Sequence, residues 1–268
     1  MNAHELLQAG DFAGALAALQ GQIKATPADP RLRVFLFQML CISGDWKRAV
    51  TQLKLCAELD PEAENMARTY REAIACEVFR ERVFAGAKEP LVFGQPQEWV
   101  ALLIQALQAL ARGEAAAAAD LRGRAFEAAE ATPGEVISGE NDPAPFDWVA
   151  DADMRLGPVL EVVVNGRYFW MPFNAIATLR LDPPEDLRDA VWMPANLTLR
   201  NGGEFVALIP TRYAGTTERG TDAQKLSRAT AWEDAGAETW VGLGQRLLTT
   251  EGGDIAVMDL RSLQFDDG

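Results

Sequence analysis

Histidine is almost missing from this chain. A single imidazole, His4, stands in 268 residues, so no Ser-His-Asp or Cys-His triad, three-histidine zinc site or histidine phosphorelay can be assembled from it. Cysteine is scarce too. Cys41, Cys56 and Cys76 are too few and too widely spaced for a disulfide framework or a zinc knuckle, which reads as a reduced, cytoplasmic protein. All three fall in apolar helical stretches with no base at hand, the setting of small buried hydrophobes and not of a nucleophile. No uninterrupted apolar run approaches the ~20 residues of a membrane-spanning helix. The first five residues lack the basic-then-apolar order of a secretory signal. Positive charge is also short: 25 Lys and Arg face 39 Asp and Glu, a net charge of -14, a surface that repels nucleic acid and anionic membrane.

What is present is the composition of an ordinary globular protein, 49% hydrophobic and 24% charged, long enough for one large domain or two small ones. The pattern predicts two parts. Residues 1–131 read as helix, rich in Ala, Leu, Gln, Glu and Arg, with apolar residues three and four apart as at Leu32, Phe35, Leu36, Met39 and Leu40. Residues 132–145 turn to Pro, Gly, Ser, Asn and Asp, the composition of a linker. Residues 146–268 read as a mostly antiparallel or mixed sheet domain with short helices, packed on the helical part. Val159–Val164 and Arg167–Met171 flank Asn165-Gly166, a favoured hairpin turn, and a second hairpin is expected through Asn201-Gly202-Gly203. Further strands are expected at Ile176–Leu181, Thr239–Leu243 and Ile255–Leu260, and short helices at Asp186–Trp192 and Asp222–Arg228. The fold class is α+β.

The helical part repeats itself. Gly10, Asp11, Phe12, Ala15, Leu19 and Pro27 recur 34 positions later as Gly44, Asp45, Trp46, Ala49, Leu53 and Pro61, the tetratricopeptide period. Glycine permits the tight turn, aspartate can cap the second helix, alanine suits a close helix crossing, and proline can open the following helix. A weaker third copy starts at Gly113-Glu114 with Ala118, and a longer helix over Met66–Phe84 interrupts the array. Such repeats present a groove to another polypeptide and are scaffolds.

Few residues suggest chemistry. Asp151-Ala152-Asp153 could hold a divalent ion through hard oxygens; an acidic turn ahead of the hairpin is the simpler account. Gly242-Leu243-Gly244 and Gly252-Gly253 lack the strand, loop and helix context of a phosphate cradle and read as turns. In Tyr168-Phe169-Trp170-Met171, strand alternation sends Tyr168 and Trp170 to one face and Phe169 and Met171 to the other. Both faces are then apolar, one for the core and one for the helices or a partner.

Gly44-Asp45-Trp46 running into Gln52-Leu53-Lys54-Leu55-Cys56-Ala57-Glu58-Leu59-Asp60-Pro61, then Tyr70-Arg71-Glu72-Ala73-Ile74, Val83-Phe84-Ala85-Gly86, Pro90-Leu91-Val92-Phe93-Gly94, Asp151-Ala152-Asp153-Met154-Arg155-Leu156-Gly157-Pro158 and Asn165-Gly166-Arg167-Tyr168-Phe169-Trp170 together resemble the ImpE/TagJ (SciE) family. These are accessory proteins of bacterial type VI secretion systems, and the likeness spans nearly the whole chain. It implies a cytoplasmic, non-enzymatic adaptor without cofactor. The implied partners are the amino-terminal helix of the small contractile-sheath subunit (TssB, or VipA) and the ClpV ATPase that disassembles contracted sheath. The alternative from another class is a metal-dependent hydrolase or transferase at Asp151 and Asp153. The resemblance transfers no binding motif, so candidate partner-binding residues follow from repeat geometry alone. With Gly44 as the turn, helix A of the second unit covers about Arg31–Ser43. Arg31, Val34 and Gln38 then face the groove, Arg33, Leu36 and Leu40 support the core, and Lys54, Tyr70 and Arg71 form a polar rim. No catalytic and no metal-ligating residue is assigned.

Overall fold

Glycine, followed by an aspartate or glutamate, sets the first layer of the fold. In the computed structural model, which describes residues 1–95 and 97–266, α1 (Ala3–Gln8) and α2 (Phe12–Ala25) form one antiparallel pair, and α3 (Pro30–Ser43) and α4 (Trp46–Leu59) the next. A single long helix follows, α5 (Glu64–Phe84). After the short strand β1 (Leu91–Val92) comes a third pair, α6 (Glu98–Ala111) and α7 (Ala115–Ala128).

At each pair Gly10, Gly44 or Gly113 takes a left-handed backbone, with φ of 84°, 76° and 80°. Any other residue would be strained there. The residue after each glycine closes the same turn five residues back: Asp11 N–H to Leu6 O at 2.9 Å, Asp45 to Leu40 at 2.9 Å and Glu114 to Ala109 at 3.0 Å. Asp11 and Asp45 then cap the second helix by accepting from Gly14 and Arg48. Ala15, Ala49 and Ala118 are fully buried at the crossings. The third copy thus shares its geometry with the first two, although it starts one residue out of period.

The prolines depart from expectation. Pro27 lies in the turn, and Pro30 opens α3 instead, because Asp29 supplies the cap one residue ahead of it. Pro61 opens a short 3-10 turn before α5. Pro96 lies outside the described residues, as do 267 and 268 at the end of the expected sheet domain.

The second layer is a nine-stranded sheet. Its strands are β1, β2 (Gly134–Ser138), β3 (Ala144–Phe146), β5 (Val159–Val164), β6 (Arg167–Pro172), β7 (Ile176–Leu181), β8 (Trp192–Leu199), β9 (Glu204–Pro210) and β14 (Leu260–Phe265). They run in the order β1-β6-β5-β9-β8-β7-β14-β2-β3, and all neighbours are antiparallel except β1 with β6. Around this sheet lie β4 (Ala150–Asp151), paired to the hairpin of β12 (Leu247–Thr250) and β13 (Gly253–Ala256), and the ribbon of β10 (Thr230–Asp234) with β11 (Trp240–Gly244). Two one-turn helices, α8 (Thr216–Arg219) and α9 (Asp222–Lys225), lie against β11.

Four expectations fail here. The linker reading of 132–145 is overturned, because β2 pairs with β14 and β3 with β2 inside the main sheet. Asp186–Trp192 is not a helix: Asp189 accepts from the Glu185 and Asp186 amides to hold a turn, and Trp192 starts β8. Ile255–Leu260 is split by a turn between β13 and β14. Gly242–Gly244 is no turn but part of β11, where the Tyr213 ring fills the space a Gly242 side chain would take.

The two layers share their cores. Along β6, Tyr168 and Trp170 pack with α5 and α6 residues such as Cys76, Val83 and Leu103, while Met171 joins the core on the other face. Eight consecutive residues of α3, Phe35–Ile42, are buried. A helix buried on every side is enclosed and not superficial. Its outer neighbours are α2 and α4, and its inner ones are Val191, Trp192 and Leu226 from the sheet half. No helix among the described residues is long and apolar enough to cross a membrane.

Candidate functional site

The enclosure of α3 decides the fate of the expected groove. Gln38 is buried, and Tyr70 lies in the core with its ring 5.8 Å from that of Trp192 and 5.7 Å from that of Phe37. Neither is open to a partner, which corrects their assignment to a binding surface. The physical reason is that the concave side of the second repeat is filled by the chain's own second half. Arg31, Lys54 and Arg71 are exposed, and Val34 is half-buried. They lie on three different helices, and the structure does not gather them with Gln38 and Tyr70 into one open site. Of the supporting residues, Leu36 and Leu40 are buried, and Arg33 instead donates to the Pro27 carbonyl and to Gln52.

Polar side chains complete the seal. The Arg212 guanidinium, itself buried, donates to the carbonyls of Ile42 at 2.8 Å and Cys41 at 3.2 Å. Both oxygens lie in the last turn of α3, where the Cys41 carbonyl also accepts from the Gly44 amide and a cation complements the helix dipole. Burial holds Arg212 down at about 10, against the pull of Glu77. Trp192 donates to Glu77 at 3.0 Å.

From Glu77 a chain of buried charges crosses the interface. Arg80 lies 3.4 Å from Glu77 and grips Glu161 with two parallel bonds of 2.6 and 2.9 Å, the bidentate fork that guanidinium and carboxylate favour. Arg246 and the Tyr168 hydroxyl also donate to Glu161. Burial alone would raise the Glu161 carboxyl, yet Arg246 and Arg80 outweigh it and hold Glu161 at about 2. Strand alternation places Glu161 there: in β5, Val159, Glu161 and Val163 face the helices while Leu160, Val162 and Val164 face the opposite core. Sequence reasoning missed this residue. Its signal was a lone carboxylate among five apolar residues, at an inward position.

Asp151 and Asp153 end the chain of charges. Asp153 is wholly buried. It accepts from Arg155 at 2.8 and 2.5 Å and from the Gly242 amide at 2.8 Å. Asp151 accepts from the Asp153 amide at 2.9 Å, and its second oxygen stands 3.5 Å from Arg246. With these oxygens committed to guanidinium and amide groups, the pair is a structural turn. No group of three or more metal-ligating side chains occurs among the described residues. Burial likewise raises the three thiols, Cys56 to about 11 and Cys76 to about 12, and Cys41 further still, the opposite of what a nucleophile needs.

Asp151 carries a pH prediction. Burial pushes its carboxyl up to about 7, against the pull of Arg246 and with help from Asp153. An acid whose folded value is raised favours folding while protonated, and that advantage is lost as pH climbs from its unfolded value near 3.9 through about 7. Asp151→Asn keeps the acceptor for the Asp153 amide and removes the charge. It is therefore expected to melt above the parent at pH 8, by a margin that shrinks toward pH 4. A margin independent of pH in paired thermal melts would contradict this.

An open, largely apolar concavity lies elsewhere, between the end of α7 and the segment leading into β5. It has a volume of about 440 Å³ and is walled by Phe126, Ala129, Trp148, Val149, Met154 and Pro158. Trp148 is 40% exposed at its edge.

The ImpE protein family model matches residues 143–264. A type VI secretion system accessory component, TagJ of Pseudomonas aeruginosa, is 52% identical over 266 residues, covering 99% of this chain and 92% of that one. Among solved structures, the crystal structure of protein VPA1032 from Vibrio parahaemolyticus superposes with a TM-score of 0.87 at 28% identity, covering 99% of this chain and 98% of that chain.

Proposed function

Because the chain belongs to the ImpE/TagJ family, we propose that it is a non-enzymatic, cytoplasmic adaptor of a bacterial type VI secretion system. In this reading it binds the amino-terminal helix of the small contractile-sheath subunit and serves ClpV-dependent sheath disassembly. The observation that carries the reading is the 52% identity, over 99% of the chain, to a protein named as an accessory component of that system. Identity spread over both layers argues for the same division of labour in the two proteins. The helical part, residues 1–131, and the sheet part, which begins with β2 at Gly134, then act as one body and not as separately swinging modules.

The side chains agree with a scaffold. Carboxylates and guanidiniums that would draw attention as catalytic groups are spent on each other inside the protein. An amphipathic helix in an apolar depression is a common mode of protein recognition. Calorimetric titration of the folded protein with a synthetic peptide of the sheath subunit's amino-terminal helix is expected to give saturable binding that is abolished when the peptide's apolar face is replaced by serine. Absence of heat at excess peptide, with the peptide helical, would end this reading.

A further inference from the structure

We propose that the depression between α7 and β5, together with the tryptophan beside it, is the docking site for a basic amphipathic helix of a partner protein. This rests on the adaptor reading and gives it a place. The starting observation is apolar surface in the wrong location for a monomer. Trp148 is 40% and Trp240 49% exposed. Met154 joins them: its side chain helps wall the depression with Trp148, and its sulfur accepts the Trp240 amide at 3.2 Å. Exposed tryptophans are among the residue types that anchor interfaces. The concave side of α3, which a repeat protein would otherwise use, is taken by Trp192 and Leu226.

The wall also says what charge the occupant carries. Its exposed charged residue is Glu130, and no lysine or arginine lines it among the described residues. Asp234 stands directly across the β10–β11 ladder from Trp240. Arg155, the cation adjoining Met154 in sequence, is tied to Asp153. A carboxylate-bearing partner would be repelled here. A helix presenting one or two bulky apolar side chains to the depression, with Lys or Arg beside them, would satisfy both the apolar wall and the acidic edge. An added strand is excluded as the occupant, because β4 is paired to β12 on one side and bridged to Gly157 on the other.

The test is calorimetry with the sheath-subunit helix peptide against the full-length protein and surface variants with unchanged melting temperatures. Trp148→Ala is expected to weaken binding at least about tenfold. Trp240→Ala and Glu130→Lys are each expected to weaken it about threefold or more, and raising the salt concentration is expected to lower affinity. Lys54→Ala and Arg71→Ala are expected to bind like the parent. If the parent binds while the Trp148, Trp240 and Glu130 variants all bind within twofold of it, the docking site is wrong and the adaptor reading stands. If the parent does not bind, both are overturned.

Discussion

Trp192→Ala is expected to lower the unfolding free energy by about 3–5 kcal/mol, the range for emptying a large aromatic site in a packed core. The position is chosen by its neighbours. Trp192 is fully buried at the start of β8 and sits 5.8 Å from Tyr70 and 5.9 Å from Trp46, ring to ring. It is therefore the side chain through which the sheet touches both α4 and α5. Its indole also donates to Glu77, so truncation leaves a buried carboxylate oxygen without that donor. Against a total stability of about 5–15 kcal/mol this is a large share. Chemical denaturation should show the loss as one transition shifted as a whole, because helices and sheet share this core. A variant in which the helical signal survives after the sheet has melted would show that the two parts are independent.

Glu161→Ala is expected to cost as much, about 3–5 kcal/mol, by a different route. Removing one member of a buried ion cluster strands the others. Here Arg80 and Arg246, both buried, would lose their shared carboxylate, and Tyr168 its acceptor. The cause can be separated from simple cavity formation. Glu161→Gln keeps the side-chain volume and removes only the charge, so it should lose most of what Glu161→Ala loses. The cluster also sets an acid limit. Since Glu161 is held at about 2, the stability it provides is present above its unfolded value of about 4.3 and is lost as pH falls from there toward 2. Denaturant midpoints measured from pH 6 to pH 3 should therefore converge for the parent and Glu161→Gln, which lacks this titration. Midpoints that fall in parallel would contradict the assignment.

Legibility in the sequence followed the range of the interaction. Gly44, Asp45 and Ala49 do their work within one helical hairpin, so a 34-residue self-comparison finds them, and Asn165-Gly166 announces a hairpin within a dozen residues. The strand Gly134–Ser138 does not announce itself, because its composition is that of a loop and only pairing with Leu260–Phe265, over a hundred residues away, makes it a strand. The groove failed for the same reason. Repeat geometry turns Gln38 toward a groove, but nothing local says that α3 will be buried in a core shared with Val191 and Trp192. Tyr70 looked like a rim residue and is a core residue, held under the Arg188 guanidinium at 5.1 Å. The ion cluster was hidden because its members come from α5, β5 and the segment before β12, and a single sequence does not show which arginine meets which carboxylate.

The central claim is that this repeat is closed by its own chain, so that a partner must dock elsewhere. Hydrogen exchange read by mass spectrometry, with and without the sheath-subunit helix peptide, tests it directly. The amides of Phe35–Ile42 should be among the slowest in the free protein and unchanged by the peptide, while peptide-induced protection should fall within residues 126–132 and 148–158. Fast exchange in α3 that slows only when the peptide is added would mean that the groove is open after all.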